Sequence, residues 1–323
     1  MHRTARLLAG CAVLASLAAA LTGCAGGASG VAGCTALAQS GQASESVTAT
    51  GRFASAPAVS FATPLHVTTP QVSEILPGHG APLTAAQEVS TEITFLNATT
   101  GAVVLKSDYT GSAPARFVVG TVQITGLRRA LVCAQVGERL AAVLPPSQAI
   151  PAASRPTGLA ATDSVVAVID IRSAYLARAN GTDQVMGNGL PAVVLGADGR
   201  PGITLPQDTP PTTLRVADLK SGSGATIQRG DTAVIHYTGV VWKPGDPANG
   251  TVFDSSWTSG APVNVVVKAG QTLPGLVTAL AGRKVGSQVL AILPPSQAYG
   301  SQSTSTIPAN ATLVFVVDIL GKA

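Results

Sequence analysis

The feature that most restricts the fold of this chain is that it repeats itself. Gly126-Leu127-Arg128-Arg129-Ala130-Leu131, then Val136-Gly137 and Val143-Leu144-Pro145-Pro146-Ser147-Gln148-Ala149, match a second set without a gap. That set is Gly275-Leu276-Val277-Thr278-Ala279-Leu280, Val285-Gly286 and Ile292-Leu293-Pro294-Pro295-Ser296-Gln297-Ala298. A closing segment repeats too, Val166 to Ile171 beside Val314 to Ile319. Equal spacing over this length requires a shared fold, because each copy must bury the same pattern of positions. The copies span 55–178 and 212–323, with a Gly- and Pro-rich connection at 179–211.

Composition says what the cores are made of. Only 4% of residues are aromatic and 11% charged, against 46% hydrophobic, so Val, Leu, Ile and Ala must fill the interior. Strands dominate the reading of the second copy: Thr232–Tyr237, Val263–Lys268, Gln288–Leu293 and Thr312–Leu320. One helix is expected, from Pro274 to Gly282. Proline at a first turn lacks only a donor that the helix does not use, and glycine can take the left-handed cap. Leu273, Leu276 and Leu280 at helical spacing form its buried face.

The second copy carries four ordered motifs. They are Ile235-His236-Tyr237-Thr238-Gly239, the run Phe253-Asp254-Ser255-Ser256-Trp257, then Leu293-Pro294-Pro295-Ser296-Gln297-Ala298-Tyr299-Gly300, and a polar loop closing at Ile307-Pro308 before the strand Thr312–Ile319. From Thr212 to Lys322 they resemble the FKBP-type peptidyl-prolyl cis-trans isomerases. The resemblance implies an α+β fold, two FKBP-like domains that each wrap an antiparallel β-sheet around a short α-helix. It also implies an apolar site for the X-Pro bond of proline-containing polypeptides, with no cofactor. Catalytic roles would fall to Tyr237, Phe253, Asp254 and Tyr299, and substrate-binding roles to Val263, Leu273, Leu276, Ile307 and Phe315. The chain departs from the family's best-known members at Leu276, where they have tryptophan, and at Val263, where they have an aromatic residue. Less aromatic contact is therefore expected.

The first copy lacks these groups. In the alignment Phe95 stands opposite Tyr237, Val104 opposite Phe253, Leu105 opposite Asp254, Ile150 opposite Tyr299 and Ala167 opposite Phe315. Packing survives such exchanges, whereas a site that orients a peptide carbonyl does not. The first copy reads as a degenerate, inactive domain. This keeps a second function in view, a non-catalytic module that holds clients or a partner.

The N-terminal residues point outside the cytoplasm. A basic start, an apolar run from Leu7 to Leu21 and small residues before Cys24 make an export signal over 1–23. Leu21-Thr22-Gly23-Cys24 resembles the lipobox of bacterial lipoproteins, which implies acylation of Cys24, a lipid anchor in the bilayer and an extracytoplasmic location at the cell membrane. Residues 24–54, rich in Gly, Ala and Ser, read as a flexible linker. The apolar run Ala192-Val193-Val194-Leu195 within 179–211 is expected to add an edge strand to the second domain, since exposed apolar runs invite aggregation.

Of four cysteines, Cys34 and Cys133 would remain in the mature domains. Two readings stand, a disulfide favoured by an oxidising compartment and two independent thiols. His2, His66, His79 and His236 are isolated and no CxxC spacing occurs, so no metal site is expected. The net charge of +4 is spread without any Lys or Arg run, which argues against a nucleic-acid partner.

Overall fold

The computed structural model describes residues 34–323. The expected signal peptide (1–23) and Cys24 lie outside the described residues. No helix among the described residues is long and apolar enough to cross a membrane.

The first repeat opens with α1 (Gln42–Glu45) and a hairpin of β1 (Thr48–Thr50) with β2 (Ala58–Ser60). Its main strands are β3 (Gln71–Leu76), β4 (Glu88–Asn97), β5 (Val103–Lys106), β6 (Ala115–Val118), β7 (Arg139–Leu144) and β8 (Val165–Ala174), with α2 (Thr125–Leu131) between β6 and β7. They form an antiparallel sheet in the order β3-β7-β8-β4-β5, and β6 pairs with the remaining length of β4. The second repeat runs β9 (Thr182–Asp183), the hairpin β10 (Ala192–Leu195) and β11 (Pro201–Thr204), then β12 (Arg215–Ser221) and β13 (Thr232–Trp242). After these come β14 (Val252–Ser255), α3 (Ser256–Ser259), β15 (Val263–Val266), α4 (Pro274–Leu280), β16 (Gln288–Leu293) and β17 (Thr312–Lys322). Its order β12-β16-β17-β13-β14, with β15 also on β13, is the first repeat's topology again. Both are α+β units of the expected kind.

Each sheet has two apolar faces and therefore needs two covers. The helices supply one. Leu127, Ala130 and Leu131 of α2 pack with Ile93, Leu140 and Ile169, and Leu276, Val277 and Leu280 of α4 pack with Ile235, Val289 and Val317. α4 starts on Pro274, ends at Leu280 and is followed by Gly282 at φ +85°, in keeping with the sequence reading.

The other cover corrects two sequence expectations. Residues 34–54 of the expected flexible linker are folded. Val47 and Ala49 are buried with Val59 and Phe61 against Leu96, Ala141, Val166 and Val168, on the face that the helix leaves open. Likewise Ala192–Leu195 is not the edge strand of the second sheet. It pairs with β11, and Val193 and Ile203 lie against Trp242, Leu290 and Val316 on the face opposite α4. The edge of β12 is closed by Thr182–Asp183 instead. The repeating unit is thus longer than its motifs, 34–178 and 179–323, each carrying ahead of its main strands a hairpin that seals the back of its own sheet.

Buried polar groups pin these covers. In the first repeat Arg139 donates to Asp170 at 2.6 Å and to the Gly51 and Arg52 carbonyls at 3.0 Å, while the Ala54 N–H donates to Asp170 at 2.6 Å. In the second, Gln288 donates to Asp318 at 2.6 Å, and the Ala179 N–H donates to the other Asp318 oxygen at 2.8 Å. Cys34 and Cys133 form a disulfide, with Cα atoms 5.7 Å apart, which fastens the start of the first repeat to the turn just past α2. Of the two sequence readings of these cysteines, the structure contains the paired one.

Candidate functional site

The site lies where β13, β14 and β17 meet. β13 continues through Gly239 to Trp242 instead of stopping at Tyr237, because its partner β17 pairs with it along the whole length. Side chains alternate across a strand, so Tyr237 and Gly239 face the α4 side while Trp242 is buried on the hairpin side. β14 carries a bulge: Asp254 pairs with Gly239 and Val252 with Val240, leaving Phe253 unpaired between them. A bulge re-aims the local side chains, and here it brings Phe253 against the α4-side core and Asp254 within reach of the Tyr237 hydroxyl.

The Tyr237 hydroxyl donates to Asp254 Oδ2. Burial, then this bond and the Asp254 charge, hold the Tyr237 hydroxyl well above the usual phenol range, with a smaller push from nearby Tyr299. Tyr237 is therefore a fixed neutral donor at any physiological pH. Beneath the pair the Phe253 and Phe315 rings meet edge to face at 5.4 Å, and Tyr237 tilts over Phe315 at 6.1 Å. Such edge-to-face geometry fixes ring positions as well as burying them.

The structure brings the other expected residues to the same cluster. Phe315, Ile307 and Leu276 are buried, and Val263, Leu273, Tyr237 and Phe253 are half-buried against them. Tyr299 remains 41% exposed and lies near Tyr237. Leu273 is the N-cap of α4, so its N–H lies outside the helical hydrogen-bond ladder. Together these residues form an open apolar wall with polar groups at its edge. Concavities of about 760 and 560 Å³ lie elsewhere, one between 183–195 and Lys220, the other beside the Cys34–Cys133 disulfide.

Two supporting residues escaped the sequence reading. Ser256 Oγ lies 2.8 Å from His236 Nδ1 and accepts from the Tyr237 N–H at 2.9 Å. Trp257 stacks on His236 at 4.2 Å between centroids. His236 is enclosed, and burial pushes its imidazole down to about 4. The only signal for these roles was proximity to Asp254 in the run Phe253–Trp257, which does not say that the chain turns into α3 there.

Strand register corrects one pairing between the copies. In the first repeat Phe95 pairs with both Leu105 and Ala167, whereas in the second Gly239 pairs with both Asp254 and Phe315. Phe95 therefore occupies the position of Gly239, and Ile93 that of Tyr237. Pattern matching had slid Phe95 by two residues, because such a slip keeps a strand's faces and leaves the hydrophobic alternation unchanged. Of the remaining pairs, Val104 with Phe253, Leu105 with Asp254 and Ala167 with Phe315 agree with the register, and Val104 sits at the same bulge, while Ile150 and Tyr299 lie outside the strands.

Comparison with known proteins meets the same half of the molecule. Residues 224–320 match the family model described as FKBP-type peptidyl-prolyl cis-trans isomerase. An "FK506-binding protein" of Streptomyces anulatus is 33% identical over 123 residues, covering 38% of this chain and 95% of the relative. A "Probable FK506-binding protein" of Corynebacterium glutamicum is 32% identical over 126 residues, 38% of this chain and 97% of the relative. The three FKBP domains of wheat FKBP73 align with 79% of this chain and 94% of theirs at 19% identity, but with a TM-score of 0.35, so the topology above and not this superposition carries the fold. On the strength of the family match and the Streptomyces and Corynebacterium relatives, the chain belongs to the FKBP-type peptidyl-prolyl cis-trans isomerases.

Proposed function

We propose that the second domain isomerises X-Pro bonds of exported or envelope proteins at the apolar wall formed by Tyr237, Phe253, Asp254 and Tyr299 above Val263, Leu273, Leu276, Ile307 and Phe315. The observation that carries this reading is the Tyr237–Asp254 hydrogen bond set over the Phe253–Phe315 pair. Rotation about a peptide bond faces a barrier of about 18–20 kcal/mol from amide resonance. Lowering it requires no nucleophile, only a surface that favours the twisted amide over both planar forms. The Phe253, Phe315, Ile307 and Leu276 surface accepts the proline ring and removes water from an amide whose charge-separated planar form water favours. Asp254, held by Tyr237, presents a fixed negative field beside the twisting bond. The exposed Tyr299 hydroxyl and the Leu273 N–H then donate to substrate carbonyls on either side.

The test is protease-coupled isomerisation of a proline tetrapeptide by the full chain and by its Asp254→Leu/Tyr299→Ile variant. A rate above background that the variant loses supports the reading. No rate from the parent shifts the account to client or partner binding without catalysis.

The location is part of the same proposal. The export-signal pattern over 1–23, the lipobox-like Leu21–Cys24 and a disulfide between Cys34 and Cys133 all suit an oxidising compartment outside the cytoplasmic membrane. Acyl chains on Cys24 would tether the domains to the bilayer. In a Gram-positive or Gram-negative host, the Cys24→Ser variant is expected in the soluble extracytoplasmic fraction and the parent in the membrane fraction. Equal partition of the two sinks the anchor.

A further inference from the structure

We infer that Gly239 is the residue that holds the proline site open, and that a side chain at this position converts the site into the closed form seen in the first repeat. The inference rests on the site proposed above.

Gly239 sits inside β13, where glycine is destabilising relative to alanine and offers nothing to pack. Its backbone does not explain it. Gly239 is absent from the positive-φ glycines, so any L-residue can adopt its conformation. Space explains it. A Cβ built on Gly239 would lie 2.8 and 2.9 Å from Phe253 Cε1 and Cε2 and closer still to Cζ, inside the distance that real Cβ atoms keep. The Phe253 ring therefore lies flat across the strand at the one place where the strand has no side chain. From there its edge reaches Phe315.

The first repeat shows the alternative packing on the same backbone. Its bulge is kept at Val104, but Phe95 fills the Gly239 position and is buried to 5% exposure. The rings of Phe253 and Phe315 are replaced by the smaller Val104 and Ala167, both in or against the same core as Phe95. Two rings that come from the rim and the floor are exchanged for one that rises from the strand between them. Interiors keep near-crystalline density, so the space is not left empty. The filled version presents Leu105 outward at 54% exposure where the open version presents Asp254. Gly239 touches no substrate in this scheme. It is a positioning residue that acts through Phe253.

The experiment uses the full chain with Gly239→Ala, Gly239→Phe and Phe253→Leu, and the pair Gly239→Ala/Phe253→Leu. Each is assayed for kcat and KM on a proline tetrapeptide and for thermal unfolding. Gly239→Phe is expected to lose at least 100-fold in kcat/KM, more than the folded fraction read from thermal unfolding accounts for, because three rings then compete for space that the first repeat gives to one. Gly239→Ala is expected to lose about 10-fold, mainly through KM, in the parent, but less than twofold in the Phe253→Leu background, where no ring stands in its way. A purely structural role would give the same loss in both backgrounds and would track the folded fraction, and either result overturns the inference. So does a Gly239→Phe variant that keeps its activity while Asp254→Leu/Tyr299→Ile loses it. If the latter variant stays active, the site itself is misplaced, and the inference falls with it.

Discussion

The two repeats use one backbone to opposite ends. Sheet order, the bulge after Phe95 or Gly239, the short helix and the rear hairpin are common to both. What differs is where the aromatic mass enters the core. In the second repeat it enters from β14 and β17 as Phe253 and Phe315, beneath Tyr237 and Asp254. In the first it enters from β4 as Phe95. Exchanging side chains within one core, with total volume roughly kept, preserves a fold. By the proposal above, the same exchange removes a binding surface, since a site depends on where volume is missing.

The most direct way to break this comparison is to give the second domain the first domain's rim. Asp254→Leu/Tyr299→Ile is expected to reduce kcat/KM by about 10³-fold, since loss of one aligned electrostatic or hydrogen-bonding group costs about 10²–10³-fold. Far-UV circular dichroism should be unchanged. A loss below tenfold would mean that the wall alone does the chemistry.

The disulfide belongs to one repeat only, so its removal should separate the two. Cys34→Ser/Cys133→Ser opens a loop with a sequence separation of 99 residues. The chain-entropy model puts the effect at up to about 4.7 kcal/mol for a loop of about 100 residues. Calorimetry should show the first domain's transition falling while isomerase activity at 25 °C holds. A fall in both would show that the repeats unfold as one unit.

The rear hairpins sharpen the comparison next. A fragment of 179–323 keeps the cover over Trp242, Leu290 and Val316, whereas 212–323 exposes them. Uncovering several apolar side chains of this size should cost roughly 3 kcal/mol. The shorter fragment is expected to melt about 10 °C lower and to bind an apolar dye. Equal melting points would reduce the hairpin to an ornament of the connection.

The smallest effect is on pH, and it should have opposite sign in the two domains. Burial holds His236 down at about 4, so the folded second domain excludes a proton that the unfolded chain takes up below about 6.5. Its stability is present above that value and is lost as pH falls from 6.5 towards 4. Glu138 in the first domain is raised to about 7 by burial, despite accepting from the Gln135 N–H, with Glu74 adding to the rise. Its contribution is present below about 4.5 and is lost as pH rises towards 7. Each is on the order of 2 kcal/mol over its window. Urea midpoints measured between pH 4.5 and 6.5 should show each trend weakening in His236→Gln and Glu138→Gln respectively. A trend that persists in either variant assigns it to other groups.

Much of this protein was settled by local pattern. The ungapped match from Gly126 to Ala149 against Gly275 to Ala298 required two copies of one fold, because a buried pattern of that length admits one packing. Pro274, Gly282 and the leucine spacing marked α4, since caps and periodicity act within a few residues of the chain. Tyr237, Phe253, Asp254 and Tyr299 stand in ordered motifs, and the structure gathers the first three at one corner of the sheet. Three things were decided only by tertiary structure. The role of Val47, Ala49, Val193 and Ile203 as rear covers depends on a sheet face that exists only once strands far apart in sequence have paired. The disulfide needed Cys34 and Cys133 to be brought together across the fold. The match of Phe95 to Gly239 and not to Tyr237 is a two-residue slip that leaves every inward residue inward. Hydrophobic alternation has period two and cannot register it, whereas cross-strand hydrogen bonds can.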